Sequence, residues 1–163
     1  MDSARRSDSP DVVEGGPYLI CRSNACLCAL PLESVAETMR PLPVEPLAAT
    51  PAFVLGISVI RGAATPVVDV ARLLGSPAPV PPQRLVTLRI GARCVALAVE
   101  GVIGVHALPA AALAAVPALL SGAANETVSA ISTLDAQLLL VLQSARLVPE
   151  SVWAAIDAQA TPP

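Results

Sequence analysis

Apolar residues along this chain fall into short runs of β character, separated by Gly, Pro and Asn. "YLICR" (from Tyr18) leads through a "SN" turn to "ACLCALPL". A Pro-rich connection, "RPLPVEPLAAT", precedes "AFVLGISVI" and "TPVVDV". A second Pro-rich stretch, "SPAPVPPQ" (Ser76 to Gln83), precedes "RLVTLRI-GA-RCVALAVEGVIGVHAL". The two-residue "GA" loop between alternating segments predicts a hairpin, and "VSAISTL-DA-QLLLVL" predicts another.

Helical signals are few. "TPAFVLG" reads as a short helix, with Thr50 as N-cap, Pro51 in the first position and Gly56 at the stop. "ARLLG" reads as one helical turn ending at Gly75. "VPESVWAAIDAQ" predicts a terminal helix with Val152, Trp153 and Ile156 on its apolar face. "LPAAALAAVPALLSG" is open between helix and loop. The fold class is therefore all-β, with two small barrels or sheets of about five strands each.

The expected organisation is a disordered tail over 1–16, one domain over 17–157 and a second tail over 158–163. Within the domain, a first barrel spans about 17–82, a second spans 83–150, and the terminal helix spans 151–157.

Composition narrows the function. Of 163 residues, 54% are hydrophobic and 14% charged, yet runs such as "LLLVL" are far shorter than the ~20 residues of a membrane span. The N-terminus has no apolar core after its charges and is not a secretory signal, so a cytoplasmic location is expected. Net charge is −3, with ten Arg and no Lys, which is no nucleic-acid footprint. Tyr18, Phe53 and Trp153 are too few for a base-stacking platform.

The candidate chemistry is thin. Cys26 and Cys28 alternate on one strand face, Cys94 lies in another strand, and Cys21 in a third, a pattern of core packing more than of zinc ligation. The sole His, His106, has no evident nucleophile beside it. Asp69 and Glu100 each sit on an apolar strand and lack the rest of a glycosidase site. No G-x-S-x-G elbow or phosphate loop occurs. A small metal- or Cys-dependent enzyme is thus the weakest reading, and a non-catalytic binding module without metal or cofactor the strongest.

"TPAFVLGISVIRGAATPVVDVARLLG" resembles the CheW-like domain of chemotaxis coupling proteins. The family pattern is roughly T-P-x-x-[IV]-x-G-[VI]-x-N-[LI]-R-G-x-[IV]-[IV]-P-[VI]-[VI]-D-L-x-x-[RL]-[LF]-G. Thr50, Pro51, Gly56, Arg61, Gly62, Pro66, Asp69 and Gly75 fall in place. "YLICRSNACLCALPLESVAETMR" is similar to the family's opening hairpin, "CVALAVEGVIGV" to a later strand pair with Glu100 for Asp, and "LLLVLQSARLV" to its last strand. The departures are Val59 for Asn, Cys28 for an aromatic, and Ala63 and Ala64 for a larger apolar pair.

The resemblance implies two packed five-stranded SH3-like β-barrels with a groove between them, and no enzymatic activity. It implies an adaptor that couples the cytoplasmic tips of chemoreceptors to the regulatory domain of a CheA-type histidine kinase. Such a protein is recruited to receptor arrays at the inner membrane without inserting into it. The implied partner-binding residues are Val35, Glu37, Gly56, Arg61, Gly62 and Val105. Glu37 and Arg61 would pair across adjacent strands, Val35, Gly56 and Val105 would line an apolar contact, and Asp69 would brace the turn after its strand. The departures leave an alternative: a CheW-like adaptor in another chemosensory pathway, such as surface motility or second-messenger control.

Overall fold

Eight strands of this chain are joined in antiparallel pairs by connections of two residues. The computed structural model describes residues 15–24, 26–76, 81–115 and 127–160. The strands are β1 (Gly16–Ser23), β2 (Cys26–Pro31), β3 (Val35–Met39), β4 (Val54–Ile60), β5 (Ala63–Asp69), β6 (Arg84–Ile90), β7 (Arg93–Val99), β8 (Gly101–Leu108), β9 (Val128–Leu134) and β10 (Gln137–Leu142). A one-turn helix, α1 (Val70–Leu73), follows β5, and α2 (Glu150–Ala160) ends the described chain.

The strands form two five-stranded sheets, ordered β8-β1-β2-β10-β9 and β3-β6-β7-β5-β4. The all-β class and the five-plus-five count are as expected. Each unit is an open sheet, because its first and last strands are not paired with each other among the described residues. The sheets share one topology. The β6–β7 hairpin answers β1–β2, β3 answers β8, and β4–β5 answers β9–β10. Each sheet has a parallel pair at its centre-right, β2 with β10 and β7 with β5. A one-residue bulge falls at Ala36 of β3 and at the matching Ile103 of β8.

This topology corrects the expected division near residue 82. The second sheet is one continuous piece of chain, and the first is built from the segments on either side of it. A parallel pair needs a long crossover, and here the connection from β2 to β10 contains the entire second sheet as well as β8 and β9. The Pro-rich stretch after Ser76 is only the connection from α1 to β6; its residues 77–80 lie outside the described residues. Most of the expected N-terminal tail does too, although Gly16 already belongs to β1. The terminal helix is longer than 151–157 and takes in the first residues of the expected C-terminal tail. Residues 116–122 of the ambiguous Ala-rich stretch are likewise outside, and Ala110–Ala112 form a single 3-10 turn.

The six inner strands, β1, β2 and β10 of the first sheet and β6, β7 and β5 of the second, carry continuous buried runs because both their faces are covered. In β1, Leu19 and Cys21 enter a core shared by the two sheets, while Tyr18 and Ile20 enter a core inside the curl of the first sheet. In β7, Val95, Leu97 and Val99 join the shared core, and Ala96 and Ala98 line the interior of the second sheet. Small residues suit that tight interior. Cys21 and Cys28, directly paired across β1 and β2, are fully buried. The hydrogen bond with the Cys21 thiol, and then burial, push the Cys28 thiol well above its ordinary pKa; both side chains belong to the shared core.

Helix α2 completes the shared core with Val152, Trp153 and Ile156. Arg93 at the start of β7 fastens it. Its guanidinium lies 4.8 Å from the Trp153 ring centre and reaches Glu150 at 3.5 Å and Asp157 at 3.6 Å. The three helix residues are spaced by three and four, so they form one stripe facing the sheet.

The expected helix over "TPAFVLG" does not form. Residues around Pro51 make a turn, Thr50 Oγ1 donates to the Leu47 carbonyl at 3.3 Å, and β4 begins at Val54. The β-branched run "VLGISVI" pairs with β5 and overrides the cap-like signals.

Candidate binding surface

The turn joining β4 to β5 places Arg61 and Gly62 at its two central positions, with φ of +50° and +79°. Positive φ at both positions is what a type I′ hairpin turn requires. Gly62 adopts it without strain, whereas Arg61 is held there against its own preference. The Arg61 side chain folds back from the hairpin tip. Its Nε donates to Glu37 Oε1 at 2.8 Å, and a second guanidinium nitrogen donates to Oε2 at 2.7 Å.

This two-toothed contact fixes the planar guanidinium in one orientation. The Arg61 side chain stays 78% exposed, against 30% for Glu37, so solvent screens the pair and its role is geometric. The Arg61 guanidinium holds the Glu37 carboxyl below the usual carboxylate range, and Glu37 raises the pKa of Arg61 in turn. Glu37 is itself anchored. Its backbone N–H donates to Thr87 Oγ1 at 3.1 Å, and that hydroxyl donates to the Glu37 carbonyl at 3.3 Å.

The expected Glu37–Arg61 pair is therefore present, but not across adjacent strands. Glu37 lies on β3, one edge of the second sheet, and Arg61 lies at the tip of the hairpin that forms the opposite edge. The pair is a latch across the mouth of the curled sheet. Beside it runs a groove of about 450 Å³, with Thr65 and Thr87 on its floor and Arg61, Arg89 and Cys94 around it. A second groove, of about 430 Å³, lies between β4 and α2. It is apolar, lined by Leu42, Pro43, Ile57, Val59, Ala64 and Ile156 among others. Val59 is 71% exposed on its wall.

The other predicted contact residues are dispersed. Val35 shares β3 with Glu37 but is half-buried against the shared core. Val105 is exposed on β8 in the other sheet and lines neither groove. Gly56 is buried and offers no surface to a partner. At φ +143°, an added Cβ would run into the Glu45 carbonyl group and stand 2.8 Å from Pro46 Cα. The glycine instead admits the β3–β4 connection, where Glu45 N–H donates to the Ile57 carbonyl and Ile57 N–H donates to the Glu45 carbonyl, both at 2.8 Å.

Asp69 braces the following turn as expected. Its Oδ1 accepts from the Ala71 N–H at 3.1 Å and the Arg72 N–H at 3.4 Å, capping α1. Burial pushes its pKa up, partly offset by those bonds. Glu100 accepts from the Asn24 N–H at 2.9 Å, which ties the β1–β2 turn to the start of β8. The two carboxylates thus serve separate structural ends. All four cysteines are free thiols, and no cluster of three His, Cys, Asp or Glu side chains suited to a metal ion occurs among the described residues. His106 is half-buried on β8, opposite Tyr18.

Sequence reasoning missed Thr87, Arg89 and the Val59 groove, and it read Cys94 as core packing, whereas Cys94 is exposed beside the latch groove. Thr87 sits in an ordinary strand pattern, and nothing local marks it. Val59 carried one signal, as an apolar residue where the family pattern has Asn.

Comparison with known proteins gives the same picture. The family model described as "CheW-like domain" matches residues 17–152. The crystal structure of the scaffolding protein TtCheW from Thermoanaerobacter tengcongensis is similar, with a TM-score of 0.68 at 19% sequence identity. The match covers 79% of this chain and 89% of that one. Among curated proteins, none matches this chain in sequence. The match spans most of the chain and coincides with its two sheets: the chain belongs to the CheW-like domain family.

Proposed function

We propose that this protein is a non-catalytic adaptor that couples chemoreceptors to a CheA-type histidine kinase in chemotaxis signalling. One observation carries the reading: within a CheW-like fold, the Glu37–Arg61 latch fixes an exposed guanidinium at the lip of an open groove. Arg61 and Gly62 present the contact, Glu37 and Thr87 position it, and Val35 backs the strand that carries Glu37. A partner offers an acidic or carbonyl-rich surface to the free side of the guanidinium. The adaptor works in the cytoplasm at receptor arrays; no helix of the described residues is long and apolar enough to cross a membrane.

Val59 favours a second reading of the partner. An apolar side chain this exposed, where the family pattern has Asn, changes the chemistry of the neighbouring contact from polar to hydrophobic. A CheW-like adaptor of a different chemosensory pathway fits that change.

Affinity capture from the native cell lysate tests both, with wild type beside Arg61→Glu. Receptors and a CheA-type kinase captured by wild type, with receptors lost in the variant, support the chemotaxis role. A kinase and receptors of another output support the second reading. Capture of neither overturns both.

A further inference from the structure

A sheet edge exposes unpaired N–H and C=O groups, and β proteins normally guard it. Three of the four edges here are guarded from within the chain. The Glu45–Ile57 bridge covers part of β4, and the Ala114–Ile131 bridge covers the matching part of β9. The β3 edge carries Glu37 and its ion pair to Arg61. The fourth edge is β8. Among the described residues no backbone hydrogen bond reaches its outer side.

Its composition makes this edge unusual. Gly101–Leu108 contains no Asp, Glu, Lys, Arg or Pro. Its exposed side chains include Val102 at 36%, Ile103 at 45% and Val105 at 53%. Half of the large apolar side chains that the described surface exposes are therefore on this one strand. The bulge at Ile103 interrupts the strand, which leaves Gly104–Leu108 as a regular run held in register by β1. Such a run is a template for strand addition.

We propose that two copies of this chain associate through β8, with Gly104–Leu108 of each lying antiparallel to the other across a two-fold axis. Two observations select a second copy as the occupant. The strand is free of acidic and basic residues apart from His106, so it meets itself without carboxylate or guanidinium repulsion. The other edges of each copy carry a backbone bridge over part of their length (β4 and β9) or a charged side chain (β3), so β8 to β8 is the edge contact that meets no such guard. That contact uses the same patch on both sides, which makes it closed and self-limiting. The bulge bounds it at one end. This association is independent of the adaptor reading, which rests on the second sheet.

Sedimentation equilibrium of the full chain over about 1–200 µM tests it, a range suited to a small interface. The weight-average mass is expected to climb from 16.5 kDa toward twice that value. Val105→Lys puts a charge opposite Ala107 of the other copy and diagonal to its own symmetry mate, and should shift the midpoint at least about tenfold higher in concentration. Val105→Thr, which keeps the strand chemistry uncharged, should leave the mass close to wild type. Amide hydrogen exchange supplies a readout that needs no variant: protection of Gly104–Leu108 should rise with concentration, while that of β3 stays constant. A mass of 16.5 kDa throughout, or a dimer indifferent to a folded Val105→Lys, overturns the proposal. So does a monomer whose β8 captures the strand of a different protein.

Discussion

The two sheets of this molecule are the same design with different decoration. Strand order, parallel pair, bulges and the bridge over the last strand correspond one to one. The bulge register sets Gly104 of β8 against Glu37 of β3. The hairpin register sets Asp135 and Ala136 against Arg61 and Gly62. The second sheet thus has a charged latch where the first has a glycine and an acid. Ala130 of β9 stands where Gly56 stands in β4. The topology tolerates these exchanges because it depends on alternating apolar positions and two-residue turns. What a partner can recognise depends on the few positions where the copies differ.

The sharpest break in the correspondence is Gly56. Its matching residue is already Ala130, so the topology alone does not demand glycine. Gly56→Ala should nonetheless destabilise the protein by about 2–4 kcal/mol, through the clash with Glu45 and a strained backbone. Ala130→Gly should cost only about 1 kcal/mol. Urea unfolding midpoints of the two variants test this asymmetry. Equal losses would show that Gly56 does not admit the bridge.

The hairpin tips give a smaller and reciprocal effect. Ala136 adopts φ +64° and Gly62 adopts φ +79°. Ala136→Gly should stabilise by about 0.5–1 kcal/mol, and Gly62→Ala should destabilise by about 1 kcal/mol. Thermal melts of both variants should move in opposite directions. Movement in the same direction would contradict the turn assignment.

The smallest effects are in pH dependence, and they differ in sign. Asp69 has a raised folded-state pKa. Its contribution is fully present below the ordinary Asp value and is lost as the pH rises through the folded value. Glu37 has a lowered one, so its contribution is present above the ordinary Glu value and is lost as the pH falls through the folded value. Asp69→Asn should therefore flatten the stability profile on the side where stability falls with rising pH. Glu37→Gln should flatten the acid side instead. Urea midpoints between neutral pH and about pH 3 separate the two.

Much of the fold was legible because its signals are local. Ile90-Gly91-Ala92-Arg93 and Leu134-Asp135-Ala136-Gln137 lie between alternating runs, which marks those two hairpins, whereas the Arg61-Gly62 turn between β4 and β5 was not read as one. Asp69 before "VARL" announces a cap. The interleaving of the sheets left no trace, since parallel pairing of β2 with β10 joins segments more than a hundred residues apart. Gly56 was misread for a related reason. Thr50, Pro51 and Gly56 have helix-like spacing, but what requires the glycine is Glu45, eleven residues earlier. The latch was legible as a pair through family resemblance, while its place across the sheet mouth depends on how the whole sheet curls.

On the proposed adaptor function, the latch, and not the shared topology, makes the partner contact. That claim is tested most directly by titrating receptor signalling tips against wild type, Arg61→Glu and the matching first-sheet variant Asp135→Lys. The account predicts at least about tenfold weaker binding for Arg61→Glu, or ~1.4 kcal/mol, and unchanged binding for Asp135→Lys. Wild-type affinity in Arg61→Glu, or an equal loss in both variants, would contradict it.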